Sequence, residues 1–322
     1  MKQLGCMLLL GLGVHVHTMA QVDYTVISVP QETGTEFVQV TTDNDYVCMP
    51  QVRRFGNTVQ WFTNKIIDVS PDGKSLAYLS YRNNTSNIFI REIGKKGAAV
   101  QRTNRQGVLD FSYSPDGRYI CFSEREGKYC QIYQTSSSQG YVCRQITSNN
   151  KDYSPVYSSD MDAIFFTREE KRGCSIWSYS LPKNFLSNYT IGMNPLPIGK
   201  TTMLCTRFNT EGRGEIWRIN IEKGTEECVL ADTKRSFSTP TLSPDGSHIL
   251  LVGTNVLMNG TKEYGNTDIF VCKTDGTDLR QLTFHAADDL SPVWSKDGKY
   301  IYFISQRGSA MGAANIWRMS VR

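Results

Sequence analysis

Short hydrophobic runs alternate with polar turn residues along most of the chain. Runs such as Tyr119–Ser123 and Tyr300–Ser305 are rich in aromatic and β-branched residues, and both follow an Asp-Gly pair, which is typical of β-strands. No stretch of useful length places hydrophobic residues at the helical period, so long helices are not expected. The pattern therefore predicts an all-β protein.

The strand pattern recurs in six copies, and a turn opens each copy. Asp-Gly favours a hairpin, because Gly accepts a positive φ and Asp hydrogen-bonds its own backbone. Successive turn aspartates fall in different copies, so we interpret them as turn formers rather than catalytic carboxylate pairs. Two copies are degenerate, since the third ends in Met and the fourth lacks Asp. The turns are Ser70-Pro71-Asp72-Gly73, Ser114-Pro115-Asp116-Gly117, Ser158-Ser159-Asp160-Met161, Pro195-Leu196-Pro197-Ile198-Gly199, Ser243-Pro244-Asp245-Gly246 and Ser295-Lys296-Asp297-Gly298.

A second signature, a polar residue followed by Ile and an aromatic residue, lies later in every copy. The spacing between copies fits one four-stranded antiparallel unit each. A fourth strand is visible as Arg144–Thr147 in one copy and Arg280–Thr283 in another. The six copies therefore predict six four-stranded blades. The triplets are Asn87-Ile88-Phe89, Gln131-Ile132-Tyr133, Ser175-Ile176-Trp177, Glu215-Ile216-Trp217, Asp268-Ile269-Phe270 and Asn315-Ile316-Trp317.

The last copy stops after its third strand, at Arg322, and the N-terminal region supplies a matching fourth strand. Phe37–Thr41 resembles the fourth strand Arg280–Thr283. Pairing this segment with the last copy would close the ring and remove exposed strand edges. We therefore predict a single six-bladed β-propeller over residues 21–322, closed by an N-terminal strand that completes the last blade.

The turn, the aromatic strand after it and the polar-Ile-aromatic triplet resemble the propeller repeat of the TolB family, over about residues 36–322. Related repeats occur in the propeller domains of prolyl oligopeptidase-like peptidases. The family resemblance implies the fold and is weak evidence for a function. TolB carries an additional N-terminal α/β domain, for which the short stretch between Gln21 and the first strand leaves no room. The resemblance is thus to the propeller alone.

The first twenty residues differ in character from the rest. A positive start, Met1-Lys2-Gln3, precedes an apolar run over Leu4–Val14, and Thr18-Met19-Ala20 supplies small residues at the cleavage positions. This arrangement predicts a secretory signal cleaved before Gln21 and a periplasmic or secreted mature protein. No other segment is apolar enough to cross a membrane. The net charge of +4 is too mild to indicate a nucleic-acid partner.

Eight cysteines follow the predicted signal, and none forms a C-x-x-C pair, which argues against a zinc or redox motif. Most lie within strand patterns, as expected for buried thiols that behave as small hydrophobic residues. In an oxidising compartment one pair is able to bridge. Cys130 and Cys143 flank one predicted hairpin and are the candidates for a disulfide.

Catalytic motifs are missing from the sequence. It contains no G-x-S-x-G nucleophile elbow, no Walker loop and no G-x-G-x-x-G. After the predicted signal only His248 and His285 remain, too few for a histidine-based metal site or triad. We therefore assign no catalytic residue, no metal ligand and no cofactor from the sequence.

Candidate binding residues lie on the face opposite the Ser-Pro-Asp-Gly turns. They are arginines that directly follow second strands and aspartates placed three residues before Pro155 and Pro292. One interpretation is a polar pocket whose arginines bind a carboxylate, a phosphate or a sugar acid. A second interpretation is that these arginines and aspartates stabilise the scaffold by connecting its strands and blades. A third is that the aspartates hold a structural cation in the central channel. The residues are Arg82, Arg125, Arg168, Arg207, Arg307, Asp152 and Asp289.

Two longer connections are predicted on that same face, and an inserted stretch in the first copy is a further candidate. They are Gly253–Thr267, which contains the apolar Val256-Leu257-Met258, then Gln306–Ala314, and the inserted stretch Val52–Trp61. Long loops on one face of a rigid scaffold often form binding surfaces. Tolerated insertions are the alternative explanation.

The leading functional hypothesis is a non-catalytic binding or scaffold propeller of the cell envelope. It would contact a protein or an envelope polymer through its loop face, as a monomer or as a subunit of an envelope complex. The alternative is a small carbohydrate- or peptide-processing enzyme, a hydrolase or lyase, with an axial pocket. The two hypotheses differ in whether acid–base groups converge at the propeller axis.

Overall fold

A computed structural model describes residues 23–50, 52–55, 59–62, 65–138, 141–259 and 261–321. The predicted signal and its cleavage site lie outside this part of the chain. Over it the protein is all-β, with six four-stranded antiparallel sheets, one two-stranded sheet and two 3₁₀ turns, Pro30–Glu32 and Asp43–Asp45. None of its helices is long and apolar enough to span a membrane.

Each of the first three blades is built from four consecutive strands. Before them come β1 (Phe37–Gln39) and a hairpin of β2 (Val52–Phe55) with β3 (Val59–Phe62). The strands of blades 1 to 3 are β4 (Ile67–Val69), β5 (Ser75–Arg82), β6 (Thr85–Glu92) and β7 (Val100–Gln101); β8 (Val108–Tyr113), β9 (Tyr119–Glu126), β10 (Tyr129–Ser136) and β11 (Cys143–Gln145); β12 (Asp152–Tyr157), β13 (Ala163–Glu170), β14 (Gly173–Ser180) and β15 (Phe185–Ile191).

Blades 4 and 5 follow the same order, and blade 6 takes its outer strand from the N-terminal region. The strands are β16 (Met193–Pro197), β17 (Thr202–Phe208), β18 (Gly214–Asn220) and β19 (Thr225–Leu230); β20 (Arg235–Leu242), β21 (His248–Asn259), β22 (Thr261–Lys273) and β23 (Arg280–Gln281); β24 (Asp289–Trp294), β25 (Tyr300–Ser305) and β26 (Asn315–Ser320), with β1 as the fourth.

The inner strands β4, β8, β12, β16, β20 and β24 contact one another in sequence, and β24 contacts β4, so the ring is closed. The apolar core lies between neighbouring blades. One cluster joins Ile132 of blade 2 to Phe166 of blade 3, and another joins Ile269 of blade 5 to Phe303 of blade 6. The isoleucine of every triplet is fully buried. The predicted six-bladed propeller is confirmed.

The Ser-Pro-Asp-Gly turns owe their shape to one repeated set of hydrogen bonds. In blade 1 the Ser70 hydroxyl donates to Asp72 at 2.6 Å and accepts from the Ser75 amide at 2.9 Å. The Asp72 carboxylate also accepts from the Lys74 amide at 3.1 Å, and these donors lower the pKa of Asp72. Gly73 has a φ of +72°, which Gly adopts without strain.

The degenerate third turn keeps this chemistry. The Ser158 hydroxyl donates to Asp160 at 2.6 Å and accepts from the Ala163 amide at 3.0 Å. Met161 takes the position of the glycine with a φ of +65°. A side chain in the left-handed region costs about 1 kcal/mol, and the Ser–Asp hydrogen bonds hold the turn despite this cost.

The N-terminal strand completes blade 6, as the sequence predicted. Phe37, Val38 and Gln39 pair antiparallel with Met319, Arg318 and Trp317. The Thr41 hydroxyl accepts from the Ile316 amide at 2.8 Å. The same threonine-to-isoleucine bond recurs in three other blades, at 2.9 to 3.0 Å, so the N-terminal segment repeats the role of a regular fourth strand. The equivalent donor and acceptor pairs are Ile88 with Thr103, Ile132 with Thr147, and Ile269 with Thr283.

Deletion of residues 23–45 should therefore strongly destabilise the propeller. It removes the closing strand and leaves β26 as an exposed, apolar edge that favours self-association. We expect a large drop in the melting temperature by calorimetry, together with higher oligomers by size-exclusion chromatography. An unchanged melting profile would show that β1 does not close the ring.

Two sequence predictions are corrected by the fold. Cys130 and Cys143 are both free thiols; Cys143 pairs with Thr135, whereas Cys130 lies at the other end of β10 and pairs with Arg125. A disulfide cannot reach across that length of strand. The predicted loop Gly253–Thr267 is instead a two-stranded extension of β21 and β22.

The other two predicted connections differ from each other. Residues 306–314 form the expected irregular loop between β25 and β26. Val52–Trp61 contains the hairpin of β2 and β3. The side chains of the apolar tip Val256–Met258 lie outside the described residues.

Candidate functional site

The inner strands bulge at the same level in four blades. Ser154, Asn194, Thr239 and Ser291 have φ values of +53° to +58°, and a register shift accompanies each one. A proline follows each of them. Since proline cannot donate to the strand ladder, bulges are where it is tolerated within a sheet. Asp110 and Ile66 occupy the corresponding positions of blades 2 and 1, four residues before the turn serine.

An axial cavity of about 410 Å³ extends from this bulge level to the Ser-Pro-Asp-Gly turns. All six inner strands line it. We call the end that carries the turns the turn face, and the opposite end the entry face. Aromatic side chains of Phe111, Tyr113, Tyr157 and Trp294 contribute to the lining. So do seven prolines, which are Pro71, Pro115, Pro155, Pro195, Pro240, Pro244 and Pro292.

The ionisable groups of the cavity make contacts within the protein. The Lys65 ammonium lies 2.9 Å from the Asp68 carboxylate, which also accepts from the Tyr113 amide at 3.0 Å. The Asp110 carboxylate accepts from the Ser123 hydroxyl and from the Ser154 amide. Lys296 is exposed at the turn-face rim. The lining thus combines two lysines with two carboxylates that accept hydrogen bonds, so its formal charges balance.

Three polar atoms on residues that line the cavity are enclosed in the protein and have no hydrogen-bond partner among the residues that the structure describes. They are Asn194 Oδ1, Thr239 Oγ1 and Trp294 Nε1. Their strands are β16, β20 and β24, so all three belong to consecutive blades. None of the three was predicted from the sequence; for Asn194 and Thr239 the available signal was a polar residue before a proline, which recurs in four of the six inner strands.

The predicted binding residues do not line this cavity. Asp152 and Arg168 form an ion pair within blade 3, with nitrogen-to-oxygen distances of 2.7 and 2.9 Å. The Arg168 guanidinium also lies 4.3 Å from the centre of the Trp177 ring. Burial raises the pKa of Asp152, and the hydrogen bonds from Arg168 oppose that shift. The pair therefore fastens two strands of one blade.

Asp289 and Arg307 belong to a second buried cluster, at the entry face between blades 5 and 6. Arg307 is fully buried and donates to both oxygens of Glu32, at 3.0 and 3.1 Å, and to Asp289 at 2.5 Å. It also donates to the Ile27 carbonyl at 3.1 Å. We call Glu32, Asp268, Asp289 and Arg307 the clasp, because Arg307 fastens the N-terminal segment to blade 6.

The clasp contains more carboxylates than Arg307 neutralises. Asp268 accepts from Gln281 at 3.0 Å, and burial, reinforced by the charges of Asp289 and Glu32, raises its pKa to about 8. Burial raises the pKa of Asp289 to about 6 despite Arg307. Neither Asp268 nor Glu32 was predicted from the sequence; the one available signal was the Asp at the polar position of the fifth triplet.

The other predicted arginines make separate contacts within the scaffold. Arg82 donates to the Asp45 carbonyl at 3.2 Å and lies 4.5 Å from the centre of the Phe89 ring. Arg207 makes two bonds to Glu226, at 2.8 and 2.7 Å, and lies over Trp217. These bonds hold the pKa of Glu226 at about 2. Arg125 is exposed, so the five arginines do not converge on one ligand.

No metal site emerges from the described residues. Within those ranges no group of three or more His, Cys, Asp or Glu side chains is arranged to hold a metal ion. The two aspartates considered for a channel cation, Asp152 and Asp289, are instead bound to arginines in separate blades.

Comparisons with known proteins agree with the repeats. The family model "TolB beta propeller domain" matches residues 62–195. The Tol-Pal system protein TolB of Francisella tularensis subsp. mediasiatica (strain FSC147) is 24% identical over 242 residues, which cover 70% of this chain and 53% of that protein. The uncharacterized peptidase YuxL of Bacillus subtilis (strain 168) is 27% identical over 196 residues, 56% of this chain and 28% of that protein. The chain thus spans about half the length of the TolB relatives that it matches.

Solved structures share the fold at low identity. A putative TolB from Agrobacterium tumefaciens superposes with a TM-score of 0.60 at 17% identity, covering 81% of this chain and 92% of that one. An oligogalacturonate lyase in complex with manganese gives a TM-score of 0.55 at 13% identity, covering 89% and 98%. The repeats, the closed six-bladed ring and these similarities together show that the chain has the fold of a TolB-type propeller and is similar in sequence to the TolB beta propeller domain over residues 62–195.

Proposed function

We propose that the chain is a non-catalytic binding propeller that acts outside the cytoplasm and takes a segment of a partner protein into its axial cavity from the turn face. The observation that carries the proposal is the cavity itself. It is reached by all six blades, is lined by prolines and aromatic side chains, and carries few ionisable groups. Binding pockets commonly combine a largely apolar lining with a few placed polar groups.

The turn face is favoured over the entry face as the route into the cavity. The hairpin of β2 and β3 directly precedes blade 1, and β3 contacts β20 of blade 5. Because β3 lies shortly before the entry end of β4 in the chain, we infer that the hairpin crosses the entry end of the channel. The sequence hypothesis had placed binding on that entry face, where Arg168 and Arg307 are instead committed to buried ion pairs.

A protein partner is supported by the names of the relatives, and an extracytoplasmic location is supported by the N-terminal sequence of this chain. Several of them are named Tol-Pal system protein TolB, a name that places those proteins in a system with other proteins. The apolar run that follows the positive N-terminus of this chain favours export.

The alternative, a hydrolase or lyase, receives less support from the cavity. Acid–base catalysis needs a titratable group positioned on the reacting atom, whereas Asp68 and Asp110 accept several hydrogen bonds within the protein. The likeness to an oligogalacturonate lyase, at 13% identity, concerns the fold alone.

Site-specific photocrosslinking in cells tests the proposal. A photoreactive residue at Lys296, on the turn-face rim, should give a protease-sensitive adduct in the extracytoplasmic fraction. The same residue at Arg125, exposed after the second strand of blade 2, serves as the matched control and should give less of it. Filling the cavity with Thr241→Trp should abolish the Lys296 adduct. Adducts that form only at Arg125, or that survive the cavity-filling change, would contradict the proposal.

A further inference from the structure

We infer that the outer edge of blade 3 pairs with the same edge of a second copy of this chain. The two β15 strands would join antiparallel, so that one sheet continues across a two-fold dimer. β15 lies at the perimeter of the ring, whereas the axial cavity lies at its centre. The dimer therefore does not depend on the proposed function.

The first observation is the length of β15 among the outer strands of the six blades. β15 spans seven residues, whereas four of the other outer strands span two or three and β19 spans six. The strand order β12-β13-β14-β15 leaves the outer side of β15 at the edge of its sheet. Such an edge presents a row of backbone N–H and C=O groups, which is a template for another strand.

β15 also lacks the charges and prolines that usually keep strand edges apart. Residues 185–191 contain no charged side chain and no proline, and Phe185 and Ile191 are 63% and 74% exposed. β19, in contrast, carries Glu226 and Glu227, whose side chains are 41% and 67% exposed. Because charged side chains on an edge oppose edge-to-edge pairing, β15 is the long outer strand that is open to a partner.

The sequence of β15 is self-complementary about a two-fold axis at Asn188. Antiparallel pairing about this axis sets Phe185 of each copy near Ile191 of the other, with the polar Ser187 and Asn188 at the centre. Apolar cross-strand pairs stabilise a sheet, and no like charges meet in this arrangement. Two-fold dimers join one self-complementary patch to itself and are the commonest symmetric assemblies. A second copy is therefore the partner that matches the strand.

A bulge at Tyr189 shapes the edge. Tyr189 is an extra residue in β15 relative to the facing strand β14, and its ring packs against Phe165 with the ring centres 5.2 Å apart. A bulge leaves one residue out of the ladder and bends the strand. The intermolecular hydrogen bonds are therefore expected on either side of Tyr189, and the bulge does not change which ends of the two strands meet.

The exposed apolar surface continues onto blade 2. Val142 is 85% exposed, and Tyr141 beside it is also exposed. Arg144 donates to Asn184 at 2.8 Å, and Asn184 directly precedes Phe185, so the start of β11 lies close to the start of β15. Contiguous apolar patches of this kind mark interaction surfaces. This surface would add contact area beside the paired strands.

Sedimentation velocity of the purified protein over a range of concentrations tests the inference. The dimer fraction of wild type should rise with concentration. Asn188→Lys places two ammonium groups together at the two-fold axis and should weaken the dimer at least about 10-fold. Thr225→Lys is the matched control, because it puts the same side chain at an exposed position of the other long outer strand, and it should leave the dimer unchanged. Circular dichroism should show that both variants are folded.

A cysteine crosslink reads out the position of the axis. Facing residues of an antiparallel ladder have Cα atoms about 4.5–5.5 Å apart, which is within the range of a disulfide. Asn188→Cys should therefore give a disulfide-linked dimer on mild oxidation, seen by non-reducing electrophoresis, whereas Thr225→Cys should not. Both changes are made together with Cys228→Ser, which removes an exposed native thiol.

Several results would overturn the inference. One is a wild type that stays monomeric at every concentration, and another is a dimer that Asn188→Lys and Thr225→Lys weaken equally or not at all. A wild type that is monomeric alone but retains a different protein through β15 would contradict the second copy as partner. The Lys296 crosslink should be the same in Asn188→Lys as in wild type, so failure of the dimer and failure of cavity binding would appear in separate measurements.

Discussion

Arg307→Met should destabilise the protein by about 3–5 kcal/mol, the cost of leaving buried charges without their partner. The change removes the guanidinium that neutralises Glu32 and Asp289. The side chains of all three residues are fully buried. It also removes the donor to the Ile27 carbonyl, so the N-terminal segment loses its attachment to blade 6. Urea unfolding should show a lower midpoint, and limited proteolysis should cut within residues 23–36 before the blades are attacked.

Arg207→Met is the matched control for this prediction. Arg207 also pairs with a glutamate and lies over an aromatic ring, but Glu226 is 41% exposed and remains hydrated when the arginine is removed. Exposed pairs of this kind contribute about 0–1 kcal/mol. Equal destabilisation by both variants would show that Arg307 acts through packing alone and would contradict the clasp.

The wild-type protein should lose stability as the pH rises from 6 to 8, and the Asp268→Asn variant should not show this loss. The folded protein holds the pKa of Asp268 at about 8, above the ordinary 3.8. A raised folded-state pKa means that the folded state binds the proton more tightly. The contribution of Asp268 to the free energy of unfolding is therefore complete below its unfolded-state pKa and is lost as the pH rises through about 8.

The window above pH 6 separates the titration of Asp268 from that of Asp289, whose pKa burial raises to about 6. One proton per molecule corresponds to about 1.4 kcal/mol per pH unit, so wild type should lose roughly 2 kcal/mol between pH 6 and 8 relative to Asp268→Asn. His285, whose pKa is lowered by burial, contributes in the opposite direction near and below its ordinary value. Because His285 is present in both proteins, the comparison cancels its contribution.

Asparagine at the equivalent position of two other blades is the reason to expect that the Asp268→Asn variant folds. Blades 1 and 6 carry Asn87 and Asn315 at the equivalent position, and the Oδ1 of each accepts a threonine hydroxyl, from Thr103 at 2.9 Å and from Thr41 at 3.1 Å. Asp245→Asn is the control, since hydrogen bonds from Ser243 and Ser247 lower the pKa of that turn aspartate and place it far below the window. If the free energy of unfolding, measured with urea, changes equally with pH in wild type and Asp268→Asn, the raised pKa of Asp268 is contradicted.

Local features of the sequence predicted the fold correctly because the propeller is built from local units. The turn depends on hydrogen bonds between residues two to five positions apart, such as Ser114 with Asp116 and Tyr119. The fourth strand of blade 6 was predictable as well, since Thr41 repeats the position of Thr283 in the fourth-strand pattern.

Features that depend on contacts between distant segments were missed or misplaced. Glu32 and Arg307 are separated by 275 positions in the chain, and nothing in either local pattern indicates that they meet. The proposed Cys130–Cys143 bridge failed for a related reason, because proximity in a predicted hairpin does not determine the register at which strands pair.

The sequence alone determined the number of blades, their strand order, the turn chemistry and the closure by β1. Each of these depends on hydrogen bonds between nearby residues and on the alternation of polar and apolar side chains. Only the tertiary structure decided which partners the arginine side chains bind and which residues line the axial cavity. Arg168 and Arg307 satisfy buried carboxylates, whereas Asn194, Thr239 and Trp294 each hold a buried polar atom without a partner among the described residues. Whether a polar side chain is paired or available depends on the neighbouring blade, and that neighbour is chosen by the packing of the whole ring.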